Sequence, residues 1–166
     1  MNRIENAGSI TKYAYDAAGN RINSTFNAGT ANEKQTNYLV NDAMFSQVME
    51  ERDENNVLQK RYDWSDGLAP LKVENRTASG SYQSSYFLWD NTSSTRQLTD
   101  ENGNVTDSLF YDAFGNTQAG GQGNTPNNLK LNSQEQGADG LYYLRARFYN
   151  PGTGRFLSED PLLGSD

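Results

Sequence analysis

Cysteine and histidine are both absent from this 166-residue chain. Their absence removes histidine-dependent triads, thiol nucleophiles, Cys/His zinc sites and disulfides together. Chemistry is left to carboxylates, hydroxyls, lysine and backbone groups. A chain without Cys suits an oxidising compartment and a reducing one equally. Long apolar runs are missing too, and no stretch is apolar enough to span a bilayer. The opening residues, MNRIENAGSITKYAYD, carry no signal-peptide stretch, so export would depend on an address elsewhere. Positive charge is in short supply. The net charge is -7 and the pI about 4.6, against what a nucleic-acid or anionic-membrane surface requires. One basic cluster stands out, Arg145, Arg147 and Arg155, and acidic cross-strand neighbours are its expected partners. Apolar residues make up only 34% and mean hydropathy is -0.88, so any core is thin or leans on aromatics.

Aromatics are present: ten Tyr, seven Phe and two Trp, more than a disordered chain carries. The polar excess is Asn, Ser, Thr, Gln, Gly and Asp, the vocabulary of tight turns. Together these predict an all-β chain of short strands in antiparallel hairpins. A repeat supports this. Alternating aromatics lead into Asp, two further residues, Gly, then a new strand. ITKYAYDAAGNRI is the first copy, SLFYDAFGNT another, and LTDENGNVT has the same turn between different strands. EERDENNVLQKRYDW is a variant with Asn56 in the glycine place. In each, the Asp accepts backbone N–H groups and starts a type I turn, and the Gly supplies positive φ. The turn residues are Asp16 with Gly19, Asp100 with Gly103, and Asp112 with Gly115. Tyr13 and Tyr15, two apart, share a strand face. Asp100 does not open an EF-hand loop, because the twelfth place, which needs a bidentate Glu, is Tyr111. No metal and no cofactor are expected.

Between the repeats, residues 23–34, 76–81 and 119–128 read as loops. Strands are expected around Leu71–Val73 and Tyr82–Leu88, and around Ser46–Glu51 within a segment, 41–51, that also holds helix formers. Near the C-terminus, GLYYLRARFYNPGTGRFLSEDP reads as strand, turn, strand. Alternation puts Leu141, Tyr143, Arg145 and Arg147 on one face and Tyr142, Leu144, Ala146 and Phe148 on the other. Asn150-Pro151-Gly152-Thr153-Gly154 is a turn with positive φ expected at its glycines, Arg155-Phe156-Leu157 a return strand, and Asp160-Pro161 its end.

This segment resembles the Rhs repeat-associated core of the Rhs/YD-repeat family, whose signature runs roughly G-L-Y-Y-x-R-A-R-Y-Y-D-P-x-x-G-R-F-L-S-x-D-P. Its matching residues here include Tyr142, Tyr143, Arg145, Arg147, Tyr149, Arg155 and Pro161, and it departs at Phe148 and Asn150. Upstream, YLVNDAMFSQVMEERDENNVLQKRY and FLWDNTSSTRQLTDENGNVTDSLFYDAFGN resemble further blocks of the family in the same order, though residues 89–93 lack its His and Gly. Nearly the whole chain is covered, as one core region over 1–166: a first hairpin at 10–29, middle hairpins at 38–118 and the signature at 129–161. The resemblance implies part of a curved or spiral β-sheet shell. Such a shell encloses a C-terminal toxin or effector polypeptide, in a longer exported or cell-surface bacterial protein of the polymorphic-toxin kind. The implied partners are the remaining YD repeats and that polypeptide.

Many members cut their own chain with two aspartates. The first of these maps to Asp160, the second beyond Asp166, and Glu159 stands where many cleaving members carry Arg. Paired carboxylates can split acid and base roles. Adjacent Glu159 and Asp160 cannot, since strand neighbours point apart. Three functions are thus in play: a structural encapsulation module without a complete catalytic site, an aspartyl autoprotease segment using Asp160, and a carbohydrate-binding or adhesion module using the aromatics. An open sheet edge is expected near Ile10–Ile22, which would favour self-association.

Overall fold

The computed structural model describes residues 2–6, 8–41, 46–65, 69–118, 120–123 and 125–159. Among them, ten strands form one antiparallel sheet in which each strand follows its predecessor. They are β1 (Asn2–Asn6), β2 (Ser9–Tyr15), β3 (Arg21–Phe26), β4 (Lys34–Val40), β5 (Val48–Arg52), β6 (Leu58–Trp64), β7 (Pro70–Arg76), β8 (Tyr82–Trp89), β9 (Thr95–Thr99) and β10 (Val105–Ser108). The sheet is open, since β1 and β10 do not pair. A second, four-stranded sheet comprises β11 (Glu135–Gln136), β12 (Tyr142–Leu144), β13 (Arg147–Asn150) and β14 (Arg155–Phe156). The protein is nearly all-β.

One turn geometry recurs along the chain. In it the first residue's N–H donates to the carbonyl four residues on, and the fourth residue's N–H returns to the first carbonyl. Among the described residues it begins at 16, 53, 77, 90, 100, 112 and 137. The fourth residue is left-handed each time: Gly19, Asn56, Gly80, Ser93, Gly103, Gly115 and Gly140. Glycine reaches that region without a Cβ penalty, whereas Asn56 and Ser93 enter it at some cost. Where the first residue is Asp16, Asp53, Asp90, Asp100 or Asp112, its Oδ1 also accepts the N–H groups two and four residues on. The repeat is therefore a closed hydrogen-bond unit that reverses the chain and starts the next strand.

The stretch expected as a loop at 23–34 is strand at its two ends, 23–26 and Lys34. β3 runs on through Phe26 and pairs with β4, leaving only 27–33 as the connection. Apolar alternation fails there because polar cross-strand pairs replace it. Asn23 Nδ2 donates to Asn37 Oδ1 at 2.7 Å, and the Ser24 and Tyr38 hydroxyls meet at 2.8 Å. The sheet edge also differs from expectation. β1 pairs with β2 from Asn6↔Ser9 to Asn2↔Tyr13, so the N-terminal edge is β1 and not residues 10–22. That strand is short and polar, and its one apolar anchor, Ile4, packs on the Tyr13 cluster.

The signature segment is not a single strand over 141–148. It folds back at Arg145-Ala146, so that Leu144 pairs with Arg147 and Tyr142 with Tyr149. Arg145 is left-handed, with φ 60°, a conformation its sequence does not advertise. The continuous alternation predicted across these residues is thereby broken. Gly154 is left-handed (φ 67°) but Gly152 is not; Gly152 instead donates its N–H to Asn150 Oδ1.

Two apolar clusters hold the sheets together. Tyr62, Val73, Phe87 and Leu98 come from β6 to β9 and enclose Leu129 of the C-terminal segment. Tyr13 of β2 meets Leu141 and Phe148, with the Tyr13 and Phe148 rings 4.6 Å apart. The C-terminal segment thus lies along one face of the large sheet, the inner face. Full burial of such side chains stabilises by about 1.5–3 kcal/mol each, so few contacts account for the docking.

Candidate functional site: the seam under the C-terminal segment

Strand alternation brings Tyr13, Arg21, Tyr38, Glu51 and Tyr62 to the region covered by the C-terminal segment. At its centre, the buried Arg21 side chain pairs with the buried carboxylate of Glu135 on β11. The rings of Tyr38 and Tyr143 stand against the guanidinium, their centroids 4.2 and 4.3 Å from Cζ. These cation–π contacts recover part of the desolvation cost of burying the charge. Burial pushes the Glu135 carboxyl up, and Arg21 pulls it back. Arg21 Nε and Glu135 Oε1 have no hydrogen-bond partner, so the pair is held only in part.

Polar contacts continue along the seam. Glu51 accepts from the Tyr62 hydroxyl at 2.6 Å and from Asn128 Nδ2 at 3.1 Å, with Lys60 Nζ at 3.2 Å. The Tyr13 hydroxyl donates to Asp139, and Asn6 Nδ2 donates to the Asp139 carbonyl. At the far end, Thr95 Oγ1 and N–H donate to the Leu129 and Lys130 carbonyls. Burial pushes the Tyr13, Tyr38 and Tyr62 phenols well above their ordinary range, so all three stay neutral.

The signature residues act on this seam or on the turn beside it. Tyr142 and Tyr149 donate their hydroxyls to the carbonyls of Gly115 and Phe114, clasping the Asp112 turn. Asn116 of that turn donates to the Pro151 carbonyl. Burial pushes the Tyr142 and Tyr143 phenols up to about 12. Arg145 donates to the Ser46 carbonyl at 3.3 Å, and Arg147 lies 3.8 Å from the Phe156 ring centroid. Arg155 is exposed on β14, and among the described residues it makes no ion pair. Asp160 and Pro161 lie outside the described residues.

Sequence reasoning missed Glu135 and Asp139 as seam residues, and the turn at Asp90. The Asp90 turn had a signal, Asp followed two residues later by Thr, but Ser93 hides its left-handed position. Nothing local marks Glu135; its role is set by Arg21, 114 residues away in sequence. Among the described residues no group of three or more carboxylates could hold a metal ion. No described helix is long and apolar enough to cross a membrane. The seam holds a segment in place, and its Tyr–carboxylate contacts are spent on fastening that segment to the sheet.

No protein-family model matches the chain. It is 32% identical over 157 residues to the tRNA3(Ser)-specific nuclease WapA of Bacillus spizizenii, covering 93% of this chain and 6% of that protein. It is 35% identical over 82 residues to the double-stranded DNA deaminase toxin A of Burkholderia cenocepacia, covering 46% of this chain and 6% of that protein. The chain therefore spans about 6% of the length of these relatives. Among solved structures, the crystal structure of TcdB2-TccC3 superposes with a TM-score of 0.70 at 21% identity, over 92% of this chain and 8% of that one. That likeness is one of fold. The sequence relatives and the shared fold point to the Rhs/YD-repeat toxin family.

Proposed function

We propose that this chain is a structural segment of an Rhs-type shell that encloses a C-terminal toxin or effector polypeptide. Residues 1–166 act as one core region that joins the remaining YD repeats in a longer, exported bacterial protein. The observation that supports this most is the use made of the signature segment. Tyr142, Tyr149, Leu141 and Phe148 are committed to a neighbouring turn and to the inner face of the sheet. They fasten a wall and do not surround a reacting group. The match to a small fraction of a much longer nuclease also suits one wall segment whose cargo lies elsewhere. The nuclease and deaminase activities belong to those relatives. In this reading Asp160 is not a catalytic residue of this chain.

Electron cryomicroscopy of the longer natural protein tests the proposal. The expected image is a closed shell in which this sheet continues into neighbouring repeats, with density inside. An open, solvent-filled sheet with no enclosed polypeptide would overturn it. Mass spectrometry of the same protein reads the Asp160 question, with Asp160→Asn expected to leave the pattern of cleavage unchanged.

A further inference from the structure

Cross-strand pairing sets Glu51 of β5 directly opposite Lys60 of β6. Their side chains lie on the inner face and are largely buried, 7% and 12% exposed. Asn128 of the C-terminal segment reaches the same carboxylate from the other side. Glu51 Oε2 lies 3.2 Å from Lys60 Nζ. Asn128 Nδ2 donates to Oε2 at 3.2 Å and to Oε1 at 3.1 Å. The Tyr62 hydroxyl donates to Oε1 at 2.6 Å and fixes the carboxylate between the two nitrogens. Asn128 is held in place as well. Its carbonyl accepts the Gln136 N–H at 2.8 Å, and the next residue, Leu129, is buried in the Tyr62 cluster. An amine, a carboxylate and a carboxamide therefore meet in one largely buried place. The carboxylate touches the nitrogen that must lose a proton in an amide exchange and the nitrogen that must gain one.

We propose that Lys60 and Asn128 join in an intramolecular amide bond, with Glu51 as catalytic base and then acid. Glu51 takes a proton from the Lys60 ammonium. The freed lone pair on Nζ attacks Asn128 Cγ and forms the new C–N bond. Glu51 returns its proton to Nδ2, and the Cγ–Nδ2 bond breaks as the carbonyl reforms. Of the three Nζ protons, one stays on the new amide and two leave with Nδ2 as ammonium. Glu51 ends as the carboxylate it began as, and no oxidant, reductant or co-reactant enters. Fixed proximity replaces a bimolecular encounter, and burial keeps water from competing for Cγ. The bond staples β6 to the segment that closes the inner face, in a chain whose lack of cysteine rules out a disulfide. Like any long-range cross-link, it removes freedom from the unfolded chain. The inference goes beyond the shell reading and does not depend on it.

The test is the intact mass of this folded chain, kept at neutral pH until it no longer changes. The mass is expected to settle one ammonia below that of the sequence. Trypsin should then release one branched peptide that joins residues 53–61 to residues 97–130, with the bond mapped by fragmentation to Lys60 and Asn128. Lys60→Arg, Asn128→Ala and Glu51→Gln should each keep the full mass of their own sequences, with circular dichroism showing which of them fold. The parent chain decides the matter even if a variant does not fold. A folded parent at the full sequence mass would overturn the proposal. So would an ammonia loss that persists in Lys60→Arg, that maps to another asparagine, or that proceeds undiminished in Glu51→Gln.

Discussion

Each recurring turn depends on one residue that must enter the left-handed region. Gly103 has open space where a Cβ would go, so Gly103→Ala should cost about 1 kcal/mol from backbone strain alone. Gly115→Ala should cost more, because its Cβ would fall 2.5 Å from Leu131 Cδ2. Ser93→Gly should act the other way and stabilise by about 0.5–1 kcal/mol by relieving a strained φ of 60°. Urea unfolding of the three variants checks both sign and order. The turns at Asp16, Asp100 and Asp112 were legible in the sequence because Asp and Gly carry the geometry openly, whereas those ending at Gly80 and Gly140 open on Thr77 and Gly137 and lack the Asp signal. The turn at Asp90 was hidden because Ser93 holds the left-handed place. The same turns predict an acid sensitivity. Backbone and Asn20 hydrogen bonds hold the Asp16 carboxyl below its ordinary value, and Asn104 and Asn116 do the same for Asp100 and Asp112. Hydrogen bonds from Thr92 and Arg96 depress Asp90. Depressed folded values mean that this stabilisation is complete above the unfolded value of about 3.9 and is lost as pH falls through the folded values. Calorimetry should show Tm falling as pH drops from about 4 towards 2, with a shallower fall in Asp90→Asn.

Between elements, the docking of the C-terminal segment turns on Arg21 and Glu135. Glu135→Gln or Arg21→Met leaves a buried partner uncompensated and should cost about 3–5 kcal/mol in a chemical unfolding experiment. The double variant, Arg21→Met with Glu135→Leu, should recover much of that loss, since a packed apolar pair replaces two desolvated charges. If the double variant is as unstable as the sum of the singles, the pair is not coupled as described. This level was the least legible. Alternation over 141–148 read as one strand because Arg145-Ala146 contains neither Gly nor Pro, yet Arg145 turns the chain. The pairing of β3 with β4 was obscured because Asn23, Ser24 and their partners use polar contacts where a pattern search looks for apolar ones.

For the whole molecule, the sequential order of strands leaves β1 and β10 as the two ends of an open sheet. An unpaired strand edge is a template for another strand. β10 is partly covered, since Ser108 exchanges hydrogen bonds with Gln122. β1 has no such cover among the described residues, so association should proceed through Asn2–Asn6. Sedimentation of the isolated chain should show concentration-dependent association; a monomer at all concentrations would contradict this. The all-β class was legible from turn residues and aromatic alternation. The length of the sheet and the placement of the signature segment along its inner face were not, because long-range contacts set them. As the proposed wall of a shell, the sheet should shield a polypeptide from protease. Limited proteolysis of the proposed longer protein, read by mass spectrometry, tests this. In the proposed shell, a polypeptide following this region stays uncut until denaturant releases β12 and β13 from the sheet. Cleavage of that polypeptide at the rate of a free chain, with the sheet still folded, would contradict it.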